Sequence, residues 1–156
     1  MSTSNKRSAT FVLFLLFFVA HISVAQKNFI KGSVIVNNGD TVSGFIDYKN
    51  WKSNPDKIFF KKELAEERII SYQPLEIRGF QVSNDIYLSA IVDKETSSLS
   101  TASLTYFPEL NLVTDTVFLQ TIIAGDRNLH YLRSEARDYF YIEGEGKLEL
   151  LIYKRY

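Results

Sequence analysis

The sequence predicts a mainly β fold: a single domain of short antiparallel strands and hairpins forming a roll or partly open barrel, with room for one short helix and a signal-peptide helix ahead of it. Three observations carry this. The apolar runs are short and rich in β-branched and aromatic residues, which suit a pleated, half-buried surface. They are separated by clusters of Asn, Asp, Gly and Ser, residues that form turns. The chain has 156 residues, 46% apolar and 23% charged, as one ordinary globular domain has.

The first 25 residues read as an address rather than as fold. Lys6 and Arg7 precede the apolar run 9–20 (ATFVLFLLFFVA), and Ser23-Val24-Ala25 offers the small residues of a cleavage site. The run is shorter than the ~20 residues a membrane-spanning helix needs, so residues 1–25 are expected to be a signal peptide and 26–156 the antiparallel β domain. Retention of the segment as an anchor is the alternative. After cleavage no transmembrane helix is expected, and the 16 basic and 18 acidic residues leave a net charge of −2. No Asn-x-Ser/Thr sequon occurs, so a bacterial envelope is the simpler compartment: periplasm, or association with the outer membrane, in a Gram-negative cell.

The strands follow in order. Segments 28–36 (NFIKGSVIV) and 41–48 (TVSGFIDY) flank Asn38-Gly39, which predicts a type I′ hairpin. A polar loop, 49–56, contains the only tryptophan, Trp51, and Asn54 before Pro55, a pair that disfavours helix. Segments 57–61 and 68–72 are strand-like, and 62–67 fits either a helical turn or a loose hairpin. Segments 77–82 and 86–92 pair across Ser83-Asn84-Asp85. The polar stretch 94–103 is expected to be mobile, with a short strand recovering at 104–107. Four further strands, 117–124, 129–133, 138–143 and 147–153, make a meander, although Leu148, Leu151 and Ile152 also have the spacing of a helix face.

These segments resemble uncharacterised exported β-rich proteins of the Bacteroidota, in which a signal peptide leads into a hairpin worded G-x-I/V-x(4)-G-D-T-x-x-G-x-I-D-Y. The matching positions are Gly32, Gly39, Asp40, Thr41, Gly44, Ile46, Asp47 and Tyr48, and the similarity continues through Trp51, Asn54, Pro55, Ile58, Pro74, Gly79, Phe80, Tyr87, Phe118, Leu119, Gly125, Tyr131 and Tyr139. The resemblance implies a small β domain, sometimes placed ahead of an outer-membrane barrel region; this chain ends at Tyr156, where that region would begin. It implies no activity, since turn glycines and buried aromatics specify a fold.

Little in the sequence points to chemistry. With no cysteine, disulfides and thiolate metal sites are excluded, and neutral charge without a basic cluster argues against nucleic acid. His130 is the only histidine after the leader, so a triad, a His-based zinc site or a haem pair is not expected in the monomer, and His130 is expected on a strand surface. Gly144-Glu145-Gly146 lacks the Lys-Ser/Thr of a phosphate loop and reads as a turn. Asp40, Asp47, Asp85, Asp115 and Asp126 lie near turns without calcium-loop spacing, so neither cofactor nor metal is expected. Asp47 shares a strand face with apolar neighbours, which suggests an ion pair with Arg78 or Lys49. Tyr48, Trp51 and Asn54 are the candidate ligand-binding residues, as a stacking platform for glycan or peptide; the competing reading pins the loop to the sheet through a buried indole.

The expected function is therefore a non-enzymatic envelope module binding a protein or glycan through a strand edge or the aromatic loop. The alternatives are a small outer-membrane barrel, disfavoured because most predicted strands fall short of the ~9–11 residues a span needs, and a hydrolase built on paired carboxylates.

Overall fold

The computed structural model describes residues 28–154 apart from 104–106, 108, 135 and 136. The predicted leader lies outside the described residues, as does most of the strand expected at 104–107. The chain forms β1 (Phe29–Val36), β2 (Thr41–Asp47), β3 (Ile58–Lys61), β4 (Ile70–Tyr72), β5 (Ile77–Val82), β6 (Asp85–Glu95), β7 (Leu112–Ile123), β8 (Asn128–Ser134), β9 (Arg137–Gly144) and β10 (Lys147–Leu151). One turn of 3-10 helix, Thr101–Ser103, is the only helical element among the described residues. All ten strands join one open antiparallel sheet in the order β10-β9-β8-β7-β6-β5-β1-β2-β3-β4.

The sheet buries opposite faces in its two halves. Side chains of directly paired residues share a face, so the register sorts them. Val34, Ile46, Ile58, Phe60, Ile77, Phe80, Val82, Tyr87 and Phe118 form one core on one face. Ala90, Val92, Leu119, Leu132, Tyr139 and Tyr141 form the other core on the opposite face. Strands β6 and β7 serve both: Phe118 and its neighbour Leu119 are each 0% exposed, in different cores.

Each half rolls around its core. In a flat sheet β4 and β5, four places apart, would stand about 19 Å from one another. The link 73–76 spans at most about 18 Å from Tyr72 to Ile77 with no allowance for reversing direction, so the half must curl. The facing pair Gly32 and Gly44 makes the curl possible on the inner face. A Cβ on Gly44 would lie 2.4 Å from the Phe60 ring, and one on Gly32 would lie 2.9 Å from the Ile46 side chain.

Turn chemistry and register correct several expectations. The β1–β2 hairpin is present, but its loop is Asn37-Asn38-Gly39 with positive φ only at Gly39, so it is a three-residue turn closed by Gly39 N–H to Val36 O rather than type I′. The type I′ turn falls instead at Glu145-Gly146, where both residues have positive φ. This turn commits 147–151 to a strand, and 62–69 is a hairpin loop without helix. Strands β6 and β7 reach 11 and 12 residues, beyond the expected 86–92 and 117–124. Their extra length is joined by polar pairs that a hydrophobic pattern does not show: Lys94 to Asp115 at 2.6 Å, and Thr114 to Asp93 at 2.6 Å.

Candidate functional site

Tyr48 and Trp51 come together as the sequence suggested, and their contacts are internal. The half-buried Trp51 ring meets Tyr48, Phe80 and Tyr87 edge-on at centroid distances of 5.0, 5.9 and 5.8 Å, covering the open side of the first core. The Tyr48 hydroxyl donates to Asp85 Oδ2 at 2.9 Å, and this bond to an anionic acceptor, with burial, pushes its pKa up. Gln120 donates to the other Asp85 oxygen at 3.0 Å.

Asn54 faces elsewhere, acting as a wedge. The β7–β8 ladder stops at Gln120↔Tyr131, where the strands splay. There Asn54 Nδ2 donates to Phe118 O (2.8 Å) and Tyr131 O (2.9 Å), while its Oδ1 accepts from Arg133 N–H (2.9 Å). The side-chain amide thus stands in for a strand residue, and its donors and acceptor are committed to backbone.

The flagged carboxylates are dispersed among separate partners. Asp40 accepts from Asn38, Asp115 from Lys94, and Asp47 accepts the Asn28 N–H at 2.9 Å. Lys49 Nζ stands 3.7 Å from the other, buried oxygen of Asp47, an ion pair without a hydrogen bond; Arg78 lies beside Gly39. The Lys94 bond holds the Asp115 carboxyl below its usual range. Among the described residues no three of His, Cys, Asp and Glu gather as metal ligands.

His130 is not on a surface, as the sequence suggested, but is 2% exposed on the face of the second core. Its Nδ1 lies 3.1 Å from Thr121 Oγ1 and its Nε2 3.4 Å from Glu143, which also accepts from Asn128 at 2.7 Å. The bonds from Asn128 and then His130 draw the Glu143 pKa down. The order hydroxyl, imidazole, carboxylate has the form of a relay, but an imidazole this enclosed has no approach to a substrate.

What the structure adds is an edge. The two-residue turn makes Gly144↔Lys147 a hydrogen-bonded pair, so Glu149 and Leu151 also bond β9 while the N–H and C=O groups of Leu148 and Leu150 point outward. Across from them lies β6. Thr96 N–H bonds Asn111 O, and counting back in twos makes Ser89, Ile91, Asp93 and Glu95 the residues whose backbone groups turn away from β7. β5 pairs β6 only as far as Leu88. No ladder joins β10 to β6; β9 side chains bridge instead, with Tyr141 OH donating to Asp93 O (3.0 Å) and Tyr139 OH to Glu95 O (3.2 Å).

The cleft between these edges has a volume of about 540 Å³ and is lined by Ile91, Val92, Asp93, Tyr141, Leu148, Glu149 and Leu150, among others. Beyond it Leu151, Ile152 and Tyr153 are 48, 52 and 72% exposed. A second opening, about 580 Å³ at the β7–β8 splay, has charges of both signs, Asp56, Lys94, Asp115 and Arg133, of which Lys94 and Asp115 neutralise one another.

No family model, no curated protein and no solved structure matches this chain. Sequence reasoning missed the edge residues because 147–153 fitted both strand and helix; the Lys-Leu-Glu-Leu alternation after a Gly-Glu-Gly turn was the signal that could have found them.

Proposed function

We propose that this chain is a non-enzymatic, exported cell-envelope β domain of the Bacteroidota type it resembles, and that it works by binding another envelope component along the outer edge of β10. The observation that supports this is the contrast between the two ends of the sheet. At one end β4 is three residues long and follows the charged loop 62–69, the usual way of blunting an edge. At the other, β10 is five residues long, turns the backbone groups of Leu148 and Leu150 outward, and has an apolar continuation through Ile152 and Tyr153. An exposed edge of that kind is a template for strand pairing. The open sheet favours this reading over a membrane-spanning barrel, because in lipid every backbone group must find a partner and only closed ladders supply one.

The test expresses the full chain, with residues 1–25, in a Gram-negative host and uses it as bait in envelope extract. Release by osmotic shock and recovery of one stoichiometric partner are expected. Leu148→Pro removes an outward N–H without touching the β9 ladder, and should abolish that recovery. A cytoplasmic product, or a partner retained equally by Leu148→Pro with an unchanged melting temperature, contradicts the proposal.

A further inference from the structure

The β6–β10 cleft carries information about what would fill it, on the assumption that the β10 edge is the working surface. We infer that the cleft takes an extended peptide segment of a partner in which apolar residues alternate with Lys or Arg. Three features lead there. Both walls are strand edges: Leu148 and Leu150 on β10, Ile91 and Asp93 on β6, all with backbone groups directed across the gap. A chain of alternating N–H and C=O groups at strand spacing matches such walls, and a glycan does not. The floor is apolar: Val92, Tyr141, Leu148 and Leu150 belong to or pack on the second core. Alternate side chains of an added strand would extend that core.

The third feature is charge. Among the described residues, the charged ones lining the cleft are Asp93 and Glu149, both acidic. By register both lie on the outer face, Glu149 on β10 and Asp93 on β6. They flank the path on which the outward side chains of an added strand would run, and opposite charges paired across strands are favourable while like charges are not. Strands β10 and β6 approach within 8 Å, so a segment enters by parting the seam, which the Tyr139 and Tyr141 hydroxyls and the Arg137 guanidinium on Glu95 O and Ser97 O hold in place of a ladder.

The probes are a short capped peptide alternating valine with lysine and its counterpart alternating valine with glutamate, titrated into the full chain by calorimetry with amide exchange in parallel. The lysine peptide is expected to bind about tenfold or more tightly than the glutamate peptide, to weaken with salt, and to protect the Leu148 and Leu150 amides. The paired substitutions Asp93→Asn and Glu149→Gln, conservative in shape, should bring the two affinities together. Equal binding of both peptides with Leu148 and Leu150 protected would overturn the charge inference and leave the edge reading standing. Absence of protection at those amides with either peptide would overturn the inference outright, and the Leu148→Pro capture experiment would then decide the edge reading separately.

Discussion

Asn54 shows how much one side chain can hold when its partners are backbone groups. Removing its amide leaves Phe118 O, Tyr131 O and Arg133 N–H without partners inside the splay, at about 1–3 kcal/mol for each group that water cannot reach. Asn54→Ala is expected to cost about 3 kcal/mol, read as a lower urea midpoint, whereas a loss under about 1 kcal/mol would mean that water takes over the bonds. The sequence marks Asn54 as a loop amide and no more, because its partners lie 64 and 77 residues away.

Glu95 makes a pH prediction. It is 3% exposed; burial works against its charge, but bonds from Ser97 and Asn111 and the nearby Arg137 outweigh this and hold its pKa below the ordinary 4.5. A depressed folded-state pKa contributes stability that is full above the unfolded value and fades as pH falls through the folded one. The stability gap between wild type and Glu95→Gln should therefore be constant from neutral pH to about 5 and close below about 4.5. A gap that widens on acidification contradicts the assignment.

At the scale of elements, the hairpins divide into those whose turns were legible and those set by pairing. The 28–48 hairpin was visible because alternation and an Asn-Gly pair point to the same answer, although Gly39 alone takes the positive φ. The Ser83-Asn84 turn was visible as polar residues, but not its strain: Ser83 sits at φ 56° where glycine is the natural choice. Ser83→Gly is expected to stabilise by about 1 kcal/mol, measured by chemical denaturation, and a destabilisation would refute the account of that turn. The ends of β6 and β7 were not legible, since Lys94, Asp93, Thr114 and Asp115 read as loop until their cross-strand bonds are seen. The free edge is absent from any local pattern because it depends on strand order, which only the fold decides.

For the molecule as a whole, two cores on opposite faces of one sheet raise the question of whether they unfold together. The shared β6–β7 hairpin argues that they do. Phe118→Ala and Leu119→Ala, adjacent in sequence and each fully buried in a different core, should each cost about 3 kcal/mol and shift the same single transition. Two separate transitions after either substitution would show that the halves are independent. Mainly β character could be read from composition and turns, whereas the change of buried face between Phe118 and Leu119 could not, because alternating strands look alike whichever side the core lies on.

The functional reading stands on an unguarded β10. Amide exchange followed residue by residue on the free full-length chain addresses it directly. Leu148 and Leu150 should exchange fast while Glu149 and Leu151, bonded to Ile142 and Phe140, exchange slowly. Slow exchange at all four amides would mean that the edge is already covered, and fast exchange at all four would mean that β10 is not held in the sheet; either result contradicts the account.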